Sequence, residues 1–106
     1  MKARFNEIHD AQELDALMEK SNEQPIVLFK HSTTCPISHG VYNEISNADA
    51  DINLIVVQRA RNVSNLIAEK TGVRHESPQA LIIKNGAVVY HASHYDVTAA
   101  DVESNL

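Results

Sequence analysis

The sequence predicts an α/β fold, a central mixed sheet with flanking helices in the order β-α-β-α-β-α-β-β-α, and three observations carry that prediction. Two unbroken apolar runs, Ile26-Val27-Leu28-Phe29 and Ile52 to Val57, read as strands buried on both faces. Apolar residues at helical spacing follow each run, so the connections read as right-handed crossovers between parallel strands. Asn85-Gly86, the strongest short hairpin signal, turns the chain back antiparallel near its end. With 106 residues, 43% of them hydrophobic, the chain suffices for one compact core, and residues 1–106 are read as a single domain.

Taken in order, Phe5 and Ile8 suit a short first strand. Asp10-Ala11-Gln12-Glu13 reads as a capping box, with Asp10 bonding forward and Glu13 reaching back, ahead of a helix buried through Leu14, Leu17 and Met18. Pro25 closes the polar break that ends it. The Ile26 strand leads to Cys35, and Pro36 suits the first position of a helix because its missing N–H is unneeded there. Ile37, Val41 and Ile45 form that helix's inner face, and the helix fades through Ser46 to Asp49. Beyond the Ile52 strand, Gln58 to Asn62 form a loop, with Asn62 as N-cap of a helix that buries Val63, Leu66 and Ile67 and ends at Gly72-Val73. Ala80 to Lys84 and Ala87 to His91 are the hairpin strands. Thr98 starts a last helix with Ala99, Val102 and Leu106 inward.

Composition narrows the partners. A net charge of −5 argues against nucleic acid or an anionic membrane surface, both of which need a basic face. No apolar run approaches the length that spans a bilayer, and the N-terminus lacks the apolar stretch of a secretory signal, so the cytoplasm is the expected location. The single cysteine excludes an internal disulfide framework.

That cysteine, Cys35, falls at or near a helix N-cap, where unpaired N–H groups and the helix dipole favour a negative charge. Thiolate is the nucleophilic form, and cysteines in such places have a pKa lowered to roughly 3.5–7.5 from about 8.5. Lys30 and His31 are expected to add to the effect as nearby cations. The competing reading is a small buried hydrophobe, against which stand the polar Ser32, Thr33 and Thr34 before it.

The segments Lys30-His31-Ser32-Thr33-Thr34-Cys35-Pro36-Ile37-Ser38 and Gly72-Val73-Arg74-His75-Glu76-Ser77-Pro78-Gln79, in this order of elements, resemble the two signatures of the YtxJ-type monothiol bacilliredoxins, which have a thioredoxin-like fold. Val63-Ser64-Asn65 and Ala68-Glu69-Lys70 extend the likeness, which covers nearly the whole chain. The resemblance implies a thiol-disulfide oxidoreductase acting on S-thiolated proteins, with bacillithiol or a similar low-molecular-weight thiol as co-substrate and no tightly bound cofactor. It makes Cys35 the nucleophile and Pro78 a cis-proline facing it, with Thr34, Pro36 and Ser77 in contact with substrate. Ser38 stands where dithiol relatives hold a second cysteine, so an external thiol must release the adduct.

Ser38 either donates a hydrogen bond to the thiolate or sits exposed near the helix start. Arg59 and Arg61, beyond the carboxyl end of the second apolar strand, either orient the carboxylates of bacillithiol or are solvated loop charges. The rival classes are a metal or thiol-ligated iron-sulfur protein, prompted by His31, Cys35 and His39 at four-residue spacing, and a binding module without turnover. His9, His91 and His94 are assigned no role.

Overall fold

The computed structural model describes residues 2–106. Its elements are β1 (Arg4–Glu7), α1 (Ala11–Lys20), β2 (Ile26–His31), α2 (Pro36–Ile45), β3 (Asp51–Val56), α3 (Arg61–Thr71), β4 (Gln79–Lys84), β5 (Ala87–Ser93), a 3-10 turn (His94–Asp96) and α4 (Ala99–Ser104). The strands form one sheet in the order β1-β3-β2-β4-β5. β1, β3 and β2 run parallel, and β4 is antiparallel to β2. The order of elements is the expected one, with the 3-10 turn added.

β2 has partners on both edges and a helix layer over each face, and all six of its residues are buried. That is why its sequence is apolar without alternation. Side chains still alternate between faces. Val27 and Phe29 join α2 and α4 in one core, whereas Ile26 and Leu28 join α1 and α3 in the other. Continuing that alternation, Lys30 faces α3 and His31 faces α2.

The hairpin turn has φ of 52° at Asn85 and 74° at Gly86, the left-handed pair that a two-residue turn of this twist requires. Gly72 caps α3 in the left-handed region, its N–H donating to the Ala68 carbonyl at 2.9 Å, and Val73 packs beside that helix.

Three expectations about helix ends change. Asp10 Oδ1 accepts from the Glu13 N–H at 2.9 Å as expected, but Glu13 Oε1 takes the His9 N–H at 2.9 Å, one residue upstream of a reciprocal box. α3 begins at Arg61, with Ala60 in the cap position, so Asn62 is already helical. Burial decides this, since Ala60 is 1% exposed in the α1/α3 core and the Val56 carbonyl accepts the N–H groups of Arg59 and Ala60. α4 ends at Ser104, so Leu106 lies beyond its last turn and is 41% exposed, whereas Ala99 and Val102 are buried.

Candidate active site

Parallel strands β1, β3 and β2 end together, and the segments beyond those ends are where an open α/β sheet presents a ligand. Ser32 to Thr34 carry the chain from β2 to Cys35, the N-cap residue of α2, in extended conformation (φ −100°, ψ 121°) with Pro36 next. Cys35 is a free, partly exposed thiol. The N–H of Ser38 holds it below the ordinary thiol range, helped by the Ile37 N–H and the Ser38 hydroxyl, while partial burial opposes them. These are the orphan donors of a first helical turn, and they favour the thiolate over the thiol.

Ser38 is completely buried. The alternative of a serine exposed near the helix start therefore fails. Its Oγ accepts the Ser32 N–H at 3.3 Å, which leaves the hydroxyl proton free to point at the sulfur.

Neither Lys30 nor His31 tunes the thiol. Lys30 points through the opposite face of the sheet, its Nζ 3.1 Å from His75 Nδ1, and burial lowers its pKa to about 8. His31 is 7% exposed among the rings of Phe29, Tyr42 and His39, and its pKa is lowered by burial first, then by His39 and Arg59. An imidazole kept neutral in an aromatic pocket supplies no positive charge. The spacing in sequence placed both residues near Cys35, and strand alternation sent them to opposite faces.

A residue outside the expected set organises the approach to the thiol. Gln58 Nε2 donates to Ser32 Oγ at 2.7 Å and to Thr34 Oγ1 at 3.1 Å, and its Oε1 accepts the Thr33 N–H at 3.3 Å. One side chain thus braces the whole β2–α2 loop from the end of β3. The only sequence signal was its place directly after the second apolar run.

On the adjacent strand, Lys30 pairs in register with Gln79, so Ser77 and Pro78 stand at the same end of the sheet as the loop to Cys35. The Ser77–Pro78 peptide is cis. The Pro78 carbonyl accepts the His94 N–H at 2.9 Å, and Gln79 Nε2 donates to the Arg74 carbonyl at 3.0 Å. Ser77 Oγ is buried without a partner, and among the described residues no backbone hydrogen bond engages the Ser77 N–H or carbonyl. His94, for which the sequence suggests no role, also meets Glu76 through Nε2 at 3.5 Å.

The two arginines separate. Arg59 forms a two-pronged pair with Glu7 at 2.9 and 3.0 Å, so its carboxylate-binding edge is occupied within the chain. Arg61 is exposed at the first position of α3 and close enough to His75 to disfavour protonation of that ring.

Among the described residues, no three His, Cys, Asp or Glu side chains gather as a metal-binding set. His39 Nε2 is engaged with the Thr33 carbonyl at 3.0 Å. A cleft of about 500 Å³, lined by Arg4, Phe5, Ile26, Asp51 and Asn53 among others, lies at the other end of the strands and contains none of these residues. No helix is long and apolar enough to cross a membrane among the residues described.

Residues 6–102 match the family described as monothiol bacilliredoxin BrxC. The chain belongs to that family. A solved structure of a candidate oxidoreductase with a thioredoxin fold is 30% identical, with a TM-score of 0.85 over 98% of this chain and 93% of the other. Two thioredoxins share the fold at low identity. That of Trypanosoma brucei brucei is 8% identical, with a TM-score of 0.75 over 99% of this chain and 89% of its own. That of Schistosoma mansoni is 18% identical, with a TM-score of 0.71 over 95% of this chain and 91% of its own. Membership of the bacilliredoxin family and the thioredoxin fold agree on thiol-disulfide oxidoreductase chemistry.

Proposed function

We propose that this protein removes a low-molecular-weight thiol, bacillithiol or a close analogue, from protein cysteines in the cytoplasm. The supporting observation is a thiol at a helix N-cap, held toward thiolate by Ser38 and Ile37, in a chain with no second cysteine. The Cys35 thiolate attacks the sulfur of the small thiol in the mixed disulfide. A Cys35–thiol disulfide forms, and the protein cysteine leaves as a thiolate that takes a proton from water. With no internal thiol to resolve it, the adduct persists until a second small thiolate attacks it, which yields a small-molecule disulfide and regenerates the Cys35 thiolate.

The free backbone groups of Ser77 pair with the extended segment that carries the modified cysteine, as an added strand would, while Thr34 and Pro36, the chain neighbours of Cys35, meet the substrate beside the sulfur. Arg61 is the better candidate for the carboxylates of the small thiol, since Glu7 already occupies Arg59.

The test is to mix the reduced protein with a protein bearing a bacillithiol mixed disulfide and to weigh both partners over time. Wild type should gain one thiol on Cys35 as the substrate loses it, and only added thiol should clear the adduct. Transfer that survives Cys35→Ser would refute the assignment.

A further inference from the structure

Lys30 is completely buried, and among the described residues it forms no pair with a carboxylate. A buried ammonium without a counter-ion is destabilising, and nothing in the transfer reaction uses it. What it touches is His75. Nζ lies 3.1 Å from His75 Nδ1, and Ser64 Oγ lies 2.9 Å from the same nitrogen. An ammonium can only donate, so Nδ1 must carry a lone pair, and the ring is neutral with its proton on Nε2.

His75 stands two residues before Ser77, in the loop between α3 and β4. Beside the Glu76–His94 contact and the Val73 N–H donated to Thr71 Oγ1, three tethers hold that loop. Gln79 holds the Arg74 carbonyl, His94 holds the Pro78 carbonyl, and Lys30 with Ser64 holds the His75 ring. The second acts at its β4 end, the first holds the backbone of Arg74 next to His75, and the third holds the His75 side chain two residues before Ser77.

We propose that Lys30 is a positioning residue which, through its hydrogen bond to a neutral His75, fixes the Glu76–Pro78 segment for pairing with thiolated protein substrates, and that protonating His75 releases it. This rests on the reading of Cys35 and Ser77 given above. Protonation would place an N–H on Nδ1 facing the ammonium, so two donors would confront each other. Every charged group facing the ring has a definite sign: Lys30 from β2 and Arg61 from α3 oppose the proton, and Glu76 favours it. Burial and these cations hold the His75 pKa below that of an ordinary histidine, so the segment stays pinned at neutral pH and is released in acid.

The experiment uses the full chain and two probes, a thiolated protein and the small disulfide of the same thiol, from about pH 5 to about pH 8. Lys30→Met and His75→Ala should each raise KM for the thiolated protein about tenfold, the loss of one charge-assisted hydrogen bond, and leave kcat/KM for the small disulfide unchanged. His75→Asn carries an acceptor where Nδ1 stood and cannot take the proton. It should restore the wild-type KM and remove the rise in KM at acid pH. Equal losses for both probes, or a His75→Asn variant indistinguishable from His75→Ala, would overturn the proposal. Amide exchange over residues 75–79 reads the pin without turnover, and should be faster in Lys30→Met. Exchange unchanged in that variant would overturn the pinning even if wild type is active, whereas an inactive wild type with faster exchange in Lys30→Met would overturn only the proposed function.

Discussion

Ser38 sits completely buried one helical turn after Cys35, and both its N–H and its hydroxyl act on the sulfur. The Ser32 N–H feeds the same oxygen at 3.3 Å, so a short chain of donors runs from the end of β2 to the thiolate. A buried hydroxyl needs a partner, and a thiolate is a strong one.

Ser38→Ala should therefore raise the Cys35 pKa, because the hydroxyl is lost and the N–H groups remain. The rate of alkylation by a neutral reagent, followed against pH, should shift its midpoint upward but only part of the way to that of an ordinary thiol, since the larger backbone contribution is retained. An unmoved midpoint would show that the hydroxyl serves only to satisfy Ser32.

Ser38→Cys tests the one-thiol cycle from the other side. The new thiol would lie one turn from Cys35 and replace a buried group of similar size, so it should attack the Cys35 adduct and form an internal disulfide. Mass spectrometry should then show the small thiol released from the variant without added thiol, leaving an oxidised protein. An adduct as persistent as in wild type would mean that burial holds the second sulfur away from the first.

The arginines make a third, comparative test. Arg59 is spent on Glu7, whereas among the described residues the Arg61 guanidinium, near His75, has no carboxylate partner. Arg61→Ala should slow reduction of a bacillithiol mixed disulfide several-fold more than that of a neutral small-thiol disulfide, whereas Arg59→Ala should treat the two alike. Kinetics with both substrates decide it, and equal losses in Arg61→Ala would remove that residue from recognition.

Much of the scaffold was legible because local chemistry and global fold agree. Ile26 to Phe29 could only be an interior strand, Pro36 could only begin a helix, and Asn85-Gly86 could only turn a hairpin. The misreadings arose where tertiary context outranks local pattern. Asn62 is a better cap than Ala60 in isolation, but Ala60 is the residue small enough to be buried there. Lys30 and His31 looked like a pair of cations beside the thiol, yet adjacent strand residues face opposite layers, and burial neutralises the histidine. The bonds of Gln58 to the β2–α2 loop and of His75 to Lys30 link residues 24 to 45 positions apart, and no window of local sequence contains such a link.

The buried lysine also makes a prediction about stability. Its pKa in the folded protein is about 8, against about 10.4 in an unfolded chain. Below about pH 8 both states are protonated and the full cost of burying the charge is present, on the order of 3 kcal/mol at 1.36 kcal/mol per pH unit. Between about pH 8 and about pH 10.4 the unfolded state binds more protons than the folded one, so stability contributed at this site rises with pH. Lys30→Met fills a similar volume without a charge. It should be more stable than wild type by about 1–3 kcal/mol near pH 7, within the range found when buried ions are replaced by apolar residues, and the advantage should shrink toward about pH 10. Groups that titrate equally in both proteins cancel from the difference, so urea midpoints of the two at each pH isolate Lys30. A methionine variant less stable than wild type at both pH values would show that the bond to His75 outweighs the burial of charge, and that the lysine is kept for stability rather than for holding the loop.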